Sequence, residues 1–196
     1  MPKVPQLLVL AGPNGSGKTT VTSDIQTVGV YVNADDIKIA AGCTDLQAAE
    51  QATQARESLL RARADFTFET VLSTDRNLDL LRRAKTAGYQ ITAIFILTTD
   101  AAVNVARVRA RVVTGGHDVP EDKIRSRYDR SLANLPALID LSDTVMIIDN
   151  TNDPTCIFAR DATGSVTEPT RDWPEDRINR LLGGSGRSVA YAGDNS

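Results

Sequence analysis

The sequence predicts an α/β fold, a parallel sheet flanked by helices, and three observations predict it. Short apolar runs alternate with longer segments of helical periodicity from residue 6 to residue 149. The first run ends in Gly12-Pro13-Asn14-Gly15-Ser16-Gly17-Lys18-Thr19, a G-x-x-x-x-G-K-T spacing between a strand and a helix. Composition is that of an ordinary globular domain, 41% hydrophobic and 24% charged in 196 residues.

Each element has its own signal. Gln6 to Ala11 is a continuous apolar run, as a strand buried on both faces would be. A helix is expected from about Gly17 to Thr27, and a second strand over Val30 to Val32, ending at Asn33-Ala34-Asp35-Asp36. Thr44-Asp45-Leu46-Gln47 reads as a capping box opening an alanine-rich helix to about Ala64. Phe66-Thr67-Phe68 alternates as a third strand and delivers Glu69-Thr70 at its carboxyl end. Arg76 to Ala87 is helical with Gly88 just past its end. Ile91 to Leu97 is an apolar strand, and a helix over Asp100 to Val113 follows, broken by Gly115-Gly116. Pro120 suits the first position of the next helix, whose apolar residues Ile124, Tyr128, Leu132 and Leu135 recur at helical spacing. Thr144 to Ile148 is the last strong strand. Cys156 to Ala159 reads as an edge hairpin around Ala162-Thr163-Gly164, and Trp173-Pro174 packs a final helix. We expect one domain over residues 1–182 and a disordered tail over 183–196.

Composition excludes several classes. Twenty-two basic against twenty-five acidic side chains give −3, so no overall basic field draws the chain to nucleic acid or membrane. Cys43 and Cys156 are too few for a disulfide framework or a metal quartet, and a cytoplasmic setting is expected. A single histidine, His117, precludes a histidine metal cluster.

The glycine loop carries the most specific signal. Its glycines let backbone N–H groups turn inward around phosphate oxygens, and the following helix start adds its positive dipole end. Gly12 to Thr20 are therefore expected to bind ATP, with Lys18 on the β- and γ-phosphates and the Thr19 hydroxyl on magnesium. No N-K-x-D or L-S-G-G-Q motif points to a switch GTPase or a transporter ATPase. Phosphoryl transfer needs positioning, a base and positive charge, and strand-end residues can supply them. Asp35 or Asp36 is placed to accept a proton, although Asn-Ala-Asp-Asp is also turn chemistry. Arg107 and Arg111 are one helical turn apart and converge on one anion, while Arg109 points elsewhere. Arg127 and Arg130 form a similar pair. Between these pairs lies Val113-Thr114-Gly115-Gly116-His117-Asp118-Val119, a hinge suited to a lid. Glu69 is expected to meet a substrate hydroxyl or to help hold magnesium. Val145 to Asp149 has the look of a strand feeding a magnesium-holding aspartate, which leaves a nucleotide-gated ATPase or binding module as the reading of a different class.

Four segments together resemble the zeta-toxin family: Gly12 to Thr20, Asn33-Ala34-Asp35-Asp36-Ile37, Phe68-Glu69-Thr70-Val71, and Arg107 to Leu135. The resemblance implies a nucleotide-kinase-like fold with a helical lid. It also implies transfer of the γ-phosphoryl of ATP, with Mg2+, to a hydroxyl, as of a UDP-sugar such as UDP-N-acetylglucosamine. It makes Asp35 the base and Arg107 a catalytic arginine, and it puts Glu69 among substrate-binding residues with Asn33, Thr70, His117 and Arg127. The family's second arginine aligns near His117, leaving Arg111 or Arg127 to replace it. Another metabolite or nucleotide is the alternative acceptor. Many members are held inactive by a small helical antitoxin, so the resemblance implies such a partner.

Overall fold

The uninterrupted apolar run of β1 (Gln6–Ala11) lies at the middle of the molecule, with every residue after Gln6 buried. A computed structural model describes residues 3–23, 25–116 and 118–184. After β1 come α1 (Lys18–Thr22), β2 (Val30–Val32), α2 (Ala34–Ala41), α3 (Asp45–Arg61) and β3 (Phe66–Thr70). Then follow α4 (Asp75–Thr86), β4 (Gln90–Leu97), α5 (Ala101–Val113), α6 (Glu121–Leu141) and β5 (Thr144–Asp149). A hairpin of β6 (Thr155–Asp161) and β7 (Gly164–Thr167) and the helix α7 (Glu175–Leu181) complete the described chain.

The sheet order is β2-β3-β1-β4-β5-β6-β7. The first five strands are parallel, and β6 and β7 are antiparallel additions at one edge. The chain leaves β1 towards β2 and β3 on one side and returns with β4 on the other. Such a reversal opens a crevice at the carboxyl ends of the strands, and the glycine loop occupies it. One sheet face carries the larger core: Leu7, Val9, Phe66, Phe68 and Phe95 pack against Leu78, Leu81, Leu135, Leu138, Trp173 and Ile178 from the helices. The opposite face is thinner, with Leu8, Leu10, Ile94, Ile96 and Ile148 covered by Val21, Ile25 and Val28. A third cluster, Val105, Val108, Val119 and Ile124, joins α5 to α6. Among the described residues no helix is long and apolar enough to cross a membrane.

Local chemistry accounts for where elements begin and end. In α3 the expected capping box is reciprocal: Gln47 N–H donates to Thr44 Oγ1 and Thr44 N–H donates to Gln47 Oε1. That helix stops at Arg61 rather than near Ala64, because Arg63 takes a positive φ of 52°. The first helix is five residues, not eleven. Its Thr22 and Ser23 hydroxyls donate to the carbonyls of Lys18 and Thr20, so side chains compete for the acceptors that would extend it. Asn33-Ala34-Asp35-Asp36, which also reads as cap or turn chemistry, starts α2, with Asn33 Oδ1 accepting from Asp35 N–H at 2.9 Å. Pro120 sits one place before the first helical position. Of the expected tail, residues 185–196 lie outside the described residues.

Candidate functional site

The loop between β1 and α1 is built by close approach from several elements. Gly12 has φ +148°, and a Cβ there would fall 2.1 Å from the Ile96 carbonyl oxygen. Its N–H donates to the Thr70 carbonyl at 3.1 Å, tying the loop's entry to β3. Gly17 has φ +85°, and a Cβ would lie 2.3 Å from Asn150 Nδ2. No side chain but hydrogen fits at either position.

Two buried asparagines hold the loop's carbonyls. Asn104 Nδ2 donates to the Asn14 carbonyl at 2.7 Å, and its Oδ1 accepts from the Thr98 hydroxyl. Asn150 Nδ2 donates to the Ser16 carbonyl at 2.8 Å. Arg127 Nη1 reaches Asn14 Oδ1 at 3.3 Å. With those carbonyls drawn outward, the N–H groups of Gly15 and Gly17 make no backbone hydrogen bond to any described residue, which is the arrangement an anion-binding nest requires. Ser16 Oγ is buried without a partner, another polar group left for a ligand or water to meet.

Lys18 occupies the loop's interior. Its Nζ donates to the Gly12 carbonyl at 2.7 Å and the Pro13 carbonyl at 3.3 Å. Burial of the ammonium pushes its pKa down to about 8, against the opposing pull of the Glu69 and Asp35 carboxylates; the Arg111 charge adds to the lowering. Lys18, Asp35, Glu69 and Arg111 thus share one electrostatic neighbourhood, brought from α1, α2, β3 and α5. Arg107 faces the same loop. Its Nη2 donates to the Thr151 carbonyl at 3.0 Å, and its Nη1 would stand 3.8 Å from a Cβ on Gly17. Thr19 and Thr20 are exposed in the first turn of α1.

The remaining expected residues divide by role. Glu69 Oε1 accepts from Tyr31 Oη at 2.6 Å, and Asn33 Nδ2 donates to Tyr31 Oη at 3.2 Å. Burial and the Glu69 hydrogen bond raise the Tyr31 pKa well above the usual phenol range, so it is a donor at neutral pH. Thr70 is committed to structure: its Oγ1 accepts from Leu72 N–H and from Asn77 Nδ2. Arg127 reaches the loop, but Arg130 does not join it; Arg130 is exposed and donates to its own helix at the Ser126 carbonyl. Three positions along a helix left the two guanidiniums on diverging paths. Arg109 is exposed and ion-paired with Glu121. Asp149 Oδ1 accepts from Thr151 N–H and Thr151 Oγ1, which fixes the turn that offers the Thr151 carbonyl to Arg107. His117 lies outside the described residues.

Sequence reasoning missed Tyr31, Asn104 and Asn150. Tyr31 was readable in principle, since Tyr31 pairs with Thr67 and alternation puts it on the face of Glu69. Asn104 and Asn150 gave no local signal, because their partners lie far away along the chain.

A nucleotide fits this cradle by its chemistry: unpaired loop amides, an enclosed ammonium and arginines at the rim. Among the described residues no group of three or more His, Cys, Asp or Glu could hold a metal ion.

Comparisons with known proteins agree with this architecture. The family profile described as Zeta toxin matches residues 1–163. An uncharacterized protein of Haemophilus influenzae (strain ATCC 51907 / DSM 11121 / KW20 / Rd) is 29% identical over 123 residues, 60% of this chain and 88% of that one. The solved structure of AvrRxo1-ORF1:-ORF2 with ATP superposes with a TM-score of 0.70 at 14% identity, covering 97% of this chain and 67% of that chain. The PezAT chromosomal toxin-antitoxin system of Streptococcus pneumoniae gives 0.57 at 17% identity, covering 92% and 88%. At these identities the structural likeness speaks for a shared fold.

Proposed function

Since the chain belongs to the zeta-toxin family of phosphate-loop kinases, we propose that it transfers the γ-phosphoryl group of ATP to a hydroxyl of a small molecule, a UDP-sugar such as UDP-N-acetylglucosamine being the first acceptor to try. The observation that carries this reading is the glycine loop with the Lys18 ammonium seated on its Gly12 and Pro13 carbonyls, within electrostatic reach of Glu69, Asp35 and Arg111. A phosphate-binding ammonium beside two carboxylates on the acceptor side is what phosphoryl transfer to an alcohol needs.

In this reading Gly12 to Thr20 cradle the polyphosphate. Asp35 takes the proton as the acceptor oxygen bonds to the γ-phosphorus; the bond from that phosphorus to the bridging oxygen breaks, and ADP leaves. Lys18, Arg107 and Arg111 offset the charge on the moving group. Glu69, Asn33 and Tyr31 form a hydrogen-bonding wall for the acceptor, and Thr70 shapes it from behind. Arg127, through Asn14, keeps the loop in register, and His117 is counted among the residues that bind the acceptor. The Thr19 hydroxyl would hold magnesium in part, and the ion would supply positive charge to the phosphates. Residues 1–182 serve as the working unit. The printed description of PezAT as a toxin-antitoxin system supports a search for a small antitoxin partner.

The test is an acceptor screen by mass spectrometry with ATP and magnesium, run on wild type, Asp35→Asn and Asp149→Asn. We expect a phosphorylated acceptor from wild type and from Asp149→Asn, and a loss of 10²–10⁴-fold in Asp35→Asn, the usual worth of a general base. Free phosphate release that ignores every acceptor, lost in Asp149→Asn and kept in Asp35→Asn, would make the protein an ATPase.

A further inference from the structure

The chain beyond residue 163, where the zeta-toxin likeness ends, still reaches back to the loop's supports. Trp173 and Ile178 are buried in the larger core, so α7 is firmly seated. Thr170 and Trp173 close the turn before it: Thr170 N–H donates to the Trp173 carbonyl at 2.9 Å, and Trp173 N–H donates to Thr170 Oγ1 at 3.1 Å. On this base Arg177 lays its guanidinium carbon 4.0 Å from the centroid of the Trp173 ring. Stacking of that kind fixes the plane of the fork. Nη1 then donates to the Asp172 carbonyl and Nη2 to the Thr99 carbonyl, both at 2.7 Å. Among the described residues Arg177 makes no ion pair. Its charge is spent on a carbonyl 78 positions away, at the carboxyl end of β4.

Thr99 passes that hold onward. Its N–H donates to Thr151 Oγ1 at 2.8 Å, and the Thr151 carbonyl is the acceptor for Arg107 Nη2 at 3.0 Å. The neighbouring Thr98 belongs to the second support, because its hydroxyl donates to the Asn104 side chain that holds the Asn14 carbonyl. Arg177 therefore clamps the turn from which the placement of Arg107 descends. Hydrogen bonds weaken steeply as their angle opens, so a turn left free at Thr99 lets the Thr151 carbonyl swing and the Arg107 fork with it. A charge displaced by about 1 Å from a moving phosphoryl group loses much of its worth.

We infer that Arg177 is a positioning residue, which acts through Thr99 and Thr151 to hold the Arg107 guanidinium at the terminal phosphate of the bound nucleotide. The inference rests on the kinase reading for the role of Arg107. Packing of α7 is a separate matter, since Ile178 supplies it without touching Thr99. The clamp also gives the segment after the β6–β7 hairpin a part in the chemistry, although it contributes no group to the loop itself.

The test combines steady-state kinetics on the full chain with calorimetric titration of a non-hydrolysable ATP analogue and of ADP. Arg177→Ala should lower kcat by about tenfold or more and leave the acceptor KM unchanged, the mark of an interaction made in the transition state. Arg177→Lys, which keeps the charge but can hold only one of the two carbonyls, should recover part of that kcat. Ile178→Val trims the packing of α7 and should leave kcat at the wild-type value. In an Arg107→Ala background, adding Arg177→Ala should cost less than about twofold more, because the two act as one unit. A wild-type kcat in Arg177→Ala, an equal loss in Ile178→Val, or a full second loss on top of Arg107→Ala overturns the inference. Should Arg177→Ala fail to fold, Thr151→Val breaks the next link without touching α7, and a wild-type kcat there overturns it as well. If wild type phosphorylates no acceptor, the kinase reading fails on its own account. The preference for the ATP analogue over ADP then decides the clamp: it should fall by about threefold or more in Arg177→Ala with ADP affinity unchanged, and an unaltered preference overturns the clamp.

Discussion

The pKa of Lys18 offers a test that needs no substitution at all, only pH. In the free protein burial holds the ammonium at about 8 instead of the usual 10.5. Phosphate oxygens attract only its protonated form. About nine-tenths of the lysine is charged at pH 7, and about one-tenth at pH 9, so the binding-competent fraction falls roughly tenfold across that window. The pH profile of kcat/KM reports the free enzyme, and kcat/KM for ATP should therefore drop with an apparent pKa near 8. Bound polyphosphate restores the lysine's preference for its proton, so kcat should stay level over the same range. Initial rates and titration of a fluorescent ATP analogue measure both quantities. Lys18→Met should bind the analogue weakly and with no inflection near 8. A wild-type kcat/KM that stays flat to pH 10, or an inflection that persists in Lys18→Met, would refute the reasoning. The same burial acts on folding with a definite sign. Below about pH 8 the lysine is charged in both states, and the folded chain bears the full loss of hydration. Between about 8 and 10.5 only the unfolded chain keeps the proton, so stability rises with pH there. The gap corresponds to at most about 3.5 kcal/mol at about 1.4 kcal/mol per pH unit, reduced because the side chain retains some exposed area. Comparing the pH dependence of unfolding of wild type and Lys18→Met isolates that contribution.

Three further predictions concern the scaffold of the site. Asn104→Ala strands the Asn14 carbonyl, while the Thr98 hydroxyl keeps the Asp100 carbonyl as acceptor; the loss is about 1–3 kcal/mol, thermal melts should fall by several degrees, and nucleotide should restore less stability than in wild type. Gly12→Ala drives a methyl group against the Ile96 carbonyl, and binding of the ATP analogue should vanish; unchanged affinity would mean the loop moves more freely than described. Tyr31→Phe removes the donor that holds Glu69, and acceptor KM should rise while KM for ATP stays put. Equal shifts in both constants would place Glu69 on the nucleotide side.

Local patterns in the sequence revealed the fold because most elements are made by near neighbours. The run Gln6–Ala11 and the capping box at Thr44 are complete within a few residues, and both formed where expected. The first helix was overestimated because apolar periodicity says nothing of hydroxyls that take their own helix's carbonyls. At the site, Lys18, Asp35, Glu69 and Arg107 were legible as strand-end and helix-face residues near a known loop spacing. Asn104, Asn150 and Arg177 were not. An asparagine that supports a loop and an arginine stacked on an aromatic ring look in sequence like any polar residue, and only tertiary contact gives them meaning.

The supports of the glycine loop have a consequence for how the chain acquires its chemistry during synthesis. Asn104 is 90 positions from its partner in the loop, Arg127 is 113 and Asn150 is 134. Such distant closures come late, since chain entropy opposes them until the intervening segments have ordered. A ribosome-bound fragment ending before β5 carries the whole phosphate-binding sequence but lacks Asn150, which follows that strand. The nascent polypeptide should stay blind to ATP until Asn150 has been made and has reached the loop, and pulldown of stalled chains on immobilised nucleotide would date the moment of capture.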